Sequence, residues 1–374
     1  MRVPMLDVAL QHARLETELV DAFRDVLGSS RFILGEHVQR FEREIAAYVG
    51  SAQGVGCSNG TDALTLALQA AGVGEGDEVI TTPFTFFATV GAILRLRAVP
   101  RFVDIGADDF HLDVQRVEAL VSPRTRAVIT VHLFGAPVAT RELRECCDVL
   151  GLVLIEDAAQ ALGAIEGESR VGSIGHFGCF SFFPSKPLGG FGDGGMITTS
   201  EPELAERCRR LRAHGAIAPH EHVDLGANFR LDELQAALLR VKLRYLEEML
   251  AQREAHAQAY ERALEEHPGV LLHRLPLGVR SARAHFTLRL KQPDRRERIL
   301  EELQKADVQA AVYYRKPVYR QAVPALQRLL AGDEAQQCVH TERRCAEVLT
   351  LPLFPEMSIE QREHVISSLL RALS

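Results

Sequence analysis

The chain has 374 residues and a mass of 41.4 kDa, about twice the usual length of one domain, so we expect two domains. Hydrophobic residues make up 47% and charged residues 25%, proportions typical of a globular enzyme that exclude wholesale disorder. The 43 Lys and Arg against 50 Asp and Glu give a formal net charge of -7, so we expect neither nucleic acid nor an anionic membrane as a partner.

The first two thirds of the chain alternate short apolar strands with amphipathic helices. A helix is predicted to begin near Thr61 and to end at Gly72 and Gly74. Strands are predicted at residues 78–81, 101–104, 127–133 and 152–155, with helix-length segments at 113–121 and 139–150. This alternation predicts a mainly parallel sheet with helices on both faces, which binds ligands at the carboxyl ends of its strands.

From Leu231 apolar residues recur every three or four positions, which predicts a long helix continuing with breaks toward Glu265. Beyond Pro268 the pattern predicts a strand at 285–290, a helix at 296–305, a strand at 308–314 and then C-terminal helices. We therefore predict an α/β protein with a large, mainly parallel-sheet domain at residues 1–250 and a smaller α+β domain at residues 251–374.

The seven cysteines show no paired CxxC motif and no Cys/His cluster of metal-ligand spacing, so we expect reduced thiols and no metal site. The N-terminal residues lack the apolar stretch of a signal peptide, and no apolar run approaches the length of a membrane helix. These features predict a soluble, cytoplasmic protein.

Three separate segments carry residues suited to one phosphate-bearing, nitrogen-heterocyclic cofactor. The first is SNGTD at residues 58–62, which opens the helix near Thr61. A helix N-terminus offers unpaired N–H groups and a partial positive charge that suit a phosphate, and Gly60 permits close approach of the backbone. By itself the segment also fits a plain helix cap.

The second segment is EDAAQ at residues 156–160, where Asp157 follows an apolar strand. A carboxylate buried there needs a cation, which a protonated pyridine nitrogen would provide, while Gln160 is placed to bond a ring hydroxyl. The third segment surrounds Lys186, between two prolines and before a glycine-rich stretch, where a lowered pKa would favour a Schiff base. A helix cap at Asp157 and a surface turn at Lys186 remain the alternatives.

The order of these segments resembles the DegT/DnrJ/StrS type of pyridoxal-phosphate-dependent sugar aminotransferases, which have the fold type I aminotransferase architecture. The resemblance extends from residue 32 to residue 353. The matching motifs are NGTDAL at 59–64, GDEVI at 76–80, VHLFG at 131–135, EDAAQ at 156–160, the run at 181–195 and RLDELQAA at 230–237.

The resemblance implies that Lys186 forms the internal aldimine with pyridoxal 5'-phosphate. It further implies that Asp157 pairs with the ring nitrogen, that Gln160 contacts the ring oxygen and that Phe86 stacks on the ring. Turnover then follows a ping-pong mechanism with L-glutamate as amino donor and a nucleotide-linked keto sugar as acceptor. Relatives that act as dehydratases have histidine in place of the lysine, and this chain has lysine.

By the same resemblance, Gly60, Thr61 and Ser181 bind the cofactor phosphate. Asn228 occupies the position from which the other subunit contacts that phosphate, which implies a homodimer with shared active sites. The family usually reads Asn-Ser-Arg there, whereas this chain reads NFR at 228–230.

The run at 181–189 is most similar to members that aminate carbon 3 of UDP-linked 3-keto-hexuronates. His285 stands where close relatives often have glutamine, and YRKPVY at 314–319 replaces a motif that usually ends in histidine. The candidate substrate residues are His285, Tyr314, Arg315, Lys316 and Tyr319. Arg315 and Lys316 fit either a carboxylate or diphosphate contact or a solvated turn.

Two other functions remain open at this stage. The acceptor can be a cyclitol or another ketone without a nucleotide, or the chain can be a regulatory protein that binds the cofactor without turnover. His132, within an apolar strand, is expected to be a hydrogen-bonded core residue.

Overall fold

A computed structural model describes residues 1–330 and 338–374. Its helices are α1 (Val8–Ser29), α2 (Glu36–Val49), α3 (Gly60–Ala70), α4 (Phe87–Arg95), α5 (Thr140–Leu150), α6 (Pro202–Leu211), α7 (Glu233–Leu243), α8 (Leu246–Leu264), α9 (Arg296–Lys305), α10 (Pro324–Leu330), α11 (Val339–Glu347) and α12 (Ile359–Leu373). Within the described ranges, no helix is both long and apolar enough to cross a membrane.

The strands of the large domain are β1 (Gln53–Cys57), β2 (Glu78–Thr81), β3 (Val99–Phe102), β4 (Thr125–Val131), β5 (Val153–Asp157), β6 (Ile165–Glu166), β7 (Ser169–Arg170), β8 (Phe177–Ser181), β9 (Gly195–Thr199), β10 (Ala216–Ala218) and β11 (Glu221–His222). The later strands are β12 (Val270–Leu272), β13 (Val279–Arg280), β14 (Phe286–Leu290) and β15 (Val348–Leu351).

A seven-stranded sheet in the order β1-β9-β8-β5-β4-β2-β3 forms the centre of the large domain. The five strands from β8 to β3 are parallel, and β9 runs antiparallel to both of its neighbours. The register places Val131 of β4 opposite Asp157, and Asp157 opposite Cys179 of β8. Asp157 therefore lies at the carboxyl end of the sheet, between two other strand ends.

Apolar residues cover both faces of this sheet. One buried cluster packs α3 and α6 against it, and other clusters pack α5 on the opposite face and α2, α7 and α8 around β8 and β9. Burial on both faces explains why these strands read as continuous apolar runs in the sequence. The predicted α/β fold with a mainly parallel sheet is confirmed.

A second core surrounds the antiparallel sheet β12-β14-β15, with α9 and α12 packed on it. Val3 from the N-terminus joins this core and forms a bridge with Val308. Helix α8 contributes Leu250 to the core of the large domain and Tyr260 to this second core. The boundary at residue 250 stays a prediction.

Two predicted elements are wrong. Residues 113–121 form two 3₁₀ turns, Val114–Arg116 and Glu118–Leu120, because the β-branched residues there disfavour a longer helix. Residues 308–314 form isolated bridges at Val308 and Ala311 instead of a strand. Tyr313 and Tyr314 both line one cavity, whereas successive residues of a strand point to opposite faces.

A hydrogen-bonded cluster connects the two cores. Asp109, in the segment after β3, has a carboxylate oxygen 2.8 Å from His111 Nδ1 and 3.0 Å from His273 Nε2, just beyond β12. Burial opposes charge on His111, but the Asp109 carboxylate outweighs it and raises the pKa of the imidazole. The protonated form of His111 is therefore favoured by folding.

We expect Asp109→Asn to lower the free energy of unfolding by about 1–3 kcal/mol at pH 6, the usual value of hydrogen bonds to a charged group. The stabilisation from protonated His111 is complete below its unfolded pKa of about 6.5 and is lost as the pH rises through its higher folded value. The deficit should therefore shrink by pH 9 in urea denaturation. Asp108→Asn is the control, because it removes the neighbouring carboxylate, which is 93% exposed and lies 3.3 Å from Arg289 rather than beside a histidine. Equal deficits for the two variants at every pH would contradict this account.

Candidate active site

A cavity of about 560 Å³ opens at the carboxyl end of the seven-stranded sheet, between the sheet and the segment at residues 313–321. Residues distant in sequence meet there because parallel strands end at the same edge. The predicted site residues that line it are Gly60, Thr61, Phe86, Asp157, Gln160, Ser181, Lys186, His285, Tyr314 and Lys316.

The N-terminus of α3 forms one end of the cavity. Asn59 caps the helix, since its side-chain oxygen accepts from the Asp62 N–H at 2.9 Å. The N–H groups of Gly60 and Thr61 precede the first intrahelical bond and are left for a ligand. The helix cap and the anion site are thus both present, on different residues.

Gly60 packs directly against β8. A β-carbon at position 60 would lie 2.7 Å from Cβ of Ser181, closer than real Cβ contacts allow. The glycine therefore lets the Ser181 hydroxyl lie beside the first turn of α3. This cradle fits a phosphate group, which binds backbone N–H groups and hydroxyls at helix N-termini.

Asp157 is 6% exposed and ends strand β5. Its Oδ2 accepts from the Thr89 hydroxyl at 2.8 Å, and its Oδ1 accepts from the Ala159 N–H at 3.3 Å. Burial raises the pKa of this carboxyl despite those bonds and the nearby Lys186. A ligand that brings a positive nitrogen to this carboxylate would stabilise its ionised form.

Lys186 lies on a tightly folded loop. Its backbone N–H donates to Phe183 O at 2.8 Å, and a β-carbon at Gly189 would lie 2.2 Å from Pro184 O. Burial lowers the pKa of the Lys186 amine, and the charge of Asp157 offsets only part of that shift. A larger neutral fraction makes the amine a better nucleophile toward an aldehyde.

The side chain of Gln160 has a fixed orientation. Its Oε1 accepts from the Phe134 N–H at 2.6 Å, so the amide NH₂ is the end left to donate. Gln160 also hydrogen-bonds Tyr314, whose pKa burial raises. A ring oxygen in the cavity would meet a donor here.

Phe86 and His285 form walls of the cavity. Phe86 is 60% exposed although its side chain is aromatic, and its ring centroid lies 6.5 Å from that of Tyr314. Burial, followed by the charges of Lys186 and Arg253, lowers the pKa of His285 to about 3, so this imidazole is neutral at physiological pH. The exposed ring of Phe86 is suited to stacking on a planar ligand.

Three of the predicted residues lie outside the cavity lining. Arg315 forms an exposed ion pair with Glu297 at 2.6 Å, and the Tyr319 hydroxyl donates to Glu342 at 2.7 Å. Asn228 is exposed and forms a bridge with Ala213.

Several lining residues escaped the sequence analysis, among them Thr85, Phe183, Ser185, Asp193, Tyr313 and Gln321. Asp193 lies in the glycine-rich stretch after Lys186, so the sequence could have indicated it as a site residue. Tyr313 was missed because the resemblance indicated its neighbour Tyr314, and a strand at 308–314 would point these two side chains to opposite faces. His132 is hydrogen-bonded at both ring nitrogens, to Glu156 at 3.0 Å and to the Val138 N–H at 3.2 Å, as expected for a core residue.

A lysine and a buried aspartate beside a helix N-terminus, in this α/β fold, define the class of pyridoxal-phosphate-dependent aminotransferases. The model of the DegT/DnrJ/EryC1/StrS aminotransferase family matches residues 13–370. The chain belongs to this family.

Two relatives and one solved structure illustrate the similarity. The "pleiotropic regulatory protein" of Geobacillus stearothermophilus is 44% identical, over 99% of this chain and 98% of the relative. The UDP-N-acetyl-3-dehydro-alpha-D-glucosamine 3-aminotransferase of Acidithiobacillus ferrooxidans is 38% identical over the same shares. The S. venezuelae DesV structure in complex with a ketimine intermediate has a TM-score of 0.93 and 38% identity, covering 99% of this chain and 98% of DesV.

We expect Gly60→Ala to weaken pyridoxal phosphate binding at least about tenfold, because the added methyl group displaces Ser181 from the phosphate cradle. Titration of the apoprotein with the cofactor measures this. Gly74→Ala is the matched control, since a β-carbon there meets nothing within 4 Å. Similar dissociation constants for the two variants would show that the cradle is elsewhere.

Proposed function

We propose that this aminotransferase moves the amino group of L-glutamate to a keto sugar carried on a nucleotide, by a ping-pong mechanism. The observation that carries the proposal is the meeting of Lys186 and Asp157 in one cavity. The A. ferrooxidans relative, whose name specifies amination of a UDP-linked 3-dehydro sugar, supports the choice of acceptor and of carbon 3.

The residues of the cavity fit pyridoxal phosphate. When bound, the cofactor supplies an aldehyde, and its ring withdraws electrons from the carbon that is attached to the transferred amino nitrogen. Lys186 Nζ would hold the cofactor covalently. Once the amino donor had released it, the Lys186 amine would carry the proton between the α-carbon of the donor and the aldehyde carbon of the cofactor, first as base and then as acid. Asp157 keeps the ring nitrogen protonated, which strengthens the electron withdrawal.

The other contacts hold the cofactor in position. Gly60, Thr61 and Ser181 bind the phosphate, Gln160 donates to the ring oxygen, and Phe86 covers the ring. These assignments rest on the cradle at the start of α3, the fixed amide of Gln160 and the exposed ring of Phe86.

The substrate end of the site lies on the segment after residue 312. We assign substrate contacts to His285, Tyr314 and Lys316, which line the cavity. Lys316 is exposed, so its ammonium group can meet a carboxylate or a diphosphate. Arg315 and Tyr319 stay weaker candidates, because each is paired with a glutamate outside the cavity lining.

We also propose a homodimer in which Asn228 reaches the phosphate of the partner's site. Asn228 is exposed, as a residue that acts in another subunit must be. Exposed apolar side chains suited to an interface lie on α1 and around β10 and β11: Leu10, Phe23, Leu27, Ile217, Val223 and Leu225. The cytoplasmic location stays a prediction.

We expect Lys186→Ala to lower turnover by at least about 10⁴-fold, because both the covalent attachment and the proton carrier are removed. The variant should still fold and bind pyridoxal phosphate through the phosphate cradle. Stopped-flow absorbance with L-glutamate measures the loss, and Lys305→Ala, an exposed lysine paired with Glu302, serves as control. Near-normal rates in Lys186→Ala would refute the assignment.

The name of the G. stearothermophilus relative supports a second candidate, a regulatory protein that binds the cofactor without turnover. The proposed enzyme should lose the yellow absorbance of lysine-linked cofactor when L-glutamate is added. Its cofactor-loaded form should also be stabilised in thermal unfolding by a UDP- or dTDP-sugar. Persistent yellow colour with every amino donor favours the regulator, whereas bleaching without any nucleotide stabilisation favours a cyclitol or another ketone as acceptor.

A further inference from the structure

Two threonine hydroxyls and the Asp157 carboxylate form a buried chain of hydrogen bonds. Thr85 Oγ1 lies 2.9 Å from Thr89 Oγ1, which lies 2.8 Å from Asp157 Oδ2. Their exposures are 2%, 0% and 6%. These hydrogen bonds join Thr89 to Asp157, 68 positions apart in the sequence. Asp157 lines the cavity, whereas Thr89 does not.

The direction of these bonds follows from the chemistry of the groups. An ionised carboxylate only accepts, so the single proton of the Thr89 hydroxyl points to Asp157. The Thr89 oxygen then accepts a hydrogen bond from the Thr85 hydroxyl. The Thr89 hydroxyl donates a stronger hydrogen bond to a carboxylate than to a neutral carboxylic acid, so this chain of bonds favours the ionised form of Asp157.

The two oxygens of Asp157 are therefore in different environments. Oδ2 has a short bond from a buried hydroxyl, whereas Oδ1 has, among the residues that the structure describes, only the 3.3 Å contact with the Ala159 N–H. Oδ1 keeps accepting capacity for a second donor. Thr89 is the third residue of α4, and Phe86 is the N-cap of the same helix, so one short helix positions both the stacking aromatic ring and the carboxylate.

Building on the proposed function, we propose that Thr89 is a positioning residue that holds Asp157 ionised, with one oxygen turned to the ring nitrogen of the cofactor. Thr85 acts one bond further away by fixing the Thr89 hydroxyl.

The surroundings of Asp157 make this hydrogen bond important. The titratable groups that face the carboxylate are Lys186, His132, Tyr314 and Cys179. Both ring nitrogens of His132 are hydrogen-bonded, and Tyr314 and Cys179 are neutral at physiological pH. Burial raises the pKa of Asp157, and the Thr89 hydroxyl opposes burial more than any other group does.

The chain offers a closely matched control. Thr130, on β4 beside β5, is 0% exposed, and its hydroxyl has no hydrogen-bond partner within the part of the chain that the structure describes. Thr89→Val and Thr130→Val thus make the same change of shape in buried positions, but only the first removes a bond to Asp157. Thr89→Ser keeps a donor at position 89.

The test uses an infrared titration of Asp157 in the apoprotein, its carbonyl band being assigned by its absence in Asp157→Asn. Thr89→Val should raise the titration midpoint, whereas Thr89→Ser and Thr130→Val should leave it close to wild type. In the holoenzyme, Thr89→Val should slow the reaction with L-glutamate about 10- to 100-fold, as expected for a hydrogen bond to a charged group. The acid limb of the pH–rate profile of Thr89→Val should move to higher pH, because Asp157 then ionises only at a higher pH.

Equal midpoints and equal rates for Thr89→Val and Thr130→Val would overturn the inference. If Thr89→Val does not fold, Thr85→Val takes its place, with a smaller shift in the same direction expected. A wild-type protein that fails to react with L-glutamate would refute the proposed function, and the apoprotein titration would still decide the role of Thr89.

Discussion

The burial of one carboxylate at the end of a parallel strand is the constraint on which the rest of the site depends. The backbone position of Asp157 is fixed, because β5 pairs with β4 on one side and with β8 on the other. Desolvation opposes its charge, so the ionised form needs donors and a cation nearby. The hydroxyl of Thr89 and the amine of Lys186 meet part of this need, and a protonated pyridine nitrogen would meet the remainder.

The same burial prepares Lys186 for chemistry. Its amine and the carboxylate of Asp157 are each less stable as charged groups than they would be in water. A ligand with an aldehyde and a basic ring nitrogen suits both groups, since it converts the amine into an imine, which is a weaker base, and gives the carboxylate a positively charged partner. Close packing of Gly60 on Ser181 adds a phosphate site at a fixed place along the same cavity. Binding of the cofactor, its orientation and the activation of Lys186 thus all follow from one arrangement of strand ends.

Much of this arrangement could be predicted from the sequence, because it depends on local patterns. The start of α3, the end of β5 and the unusual setting of Lys186 between prolines are each visible in a few residues. The resemblance to a family then connected them. Ten of the predicted residues line the cavity, as an alternation of strands and helices with ligands at the carboxyl edge requires.

The parts that were missed depend on contacts between distant residues. Nothing near Thr89 in the sequence indicates that it meets Asp157, and the pairing of Arg315 with Glu297 arises only when α9 packs beside that loop. The strand predicted at 308–314 is absent because both tyrosines turn toward the cavity, against the alternation of a strand. The secondary-structure propensity of a short segment does not contain information on such contacts between distant residues.

The central claim is that the amine of Lys186 carries pyridoxal phosphate covalently. Borohydride reduction of the cofactor-loaded protein, followed by proteolysis and mass spectrometry, tests this directly. The account predicts a pyridoxyl-phosphate adduct on the peptide that contains Lys186, in about one equivalent per chain. An adduct on a different lysine, or no adduct in protein shown to hold the cofactor, would contradict it.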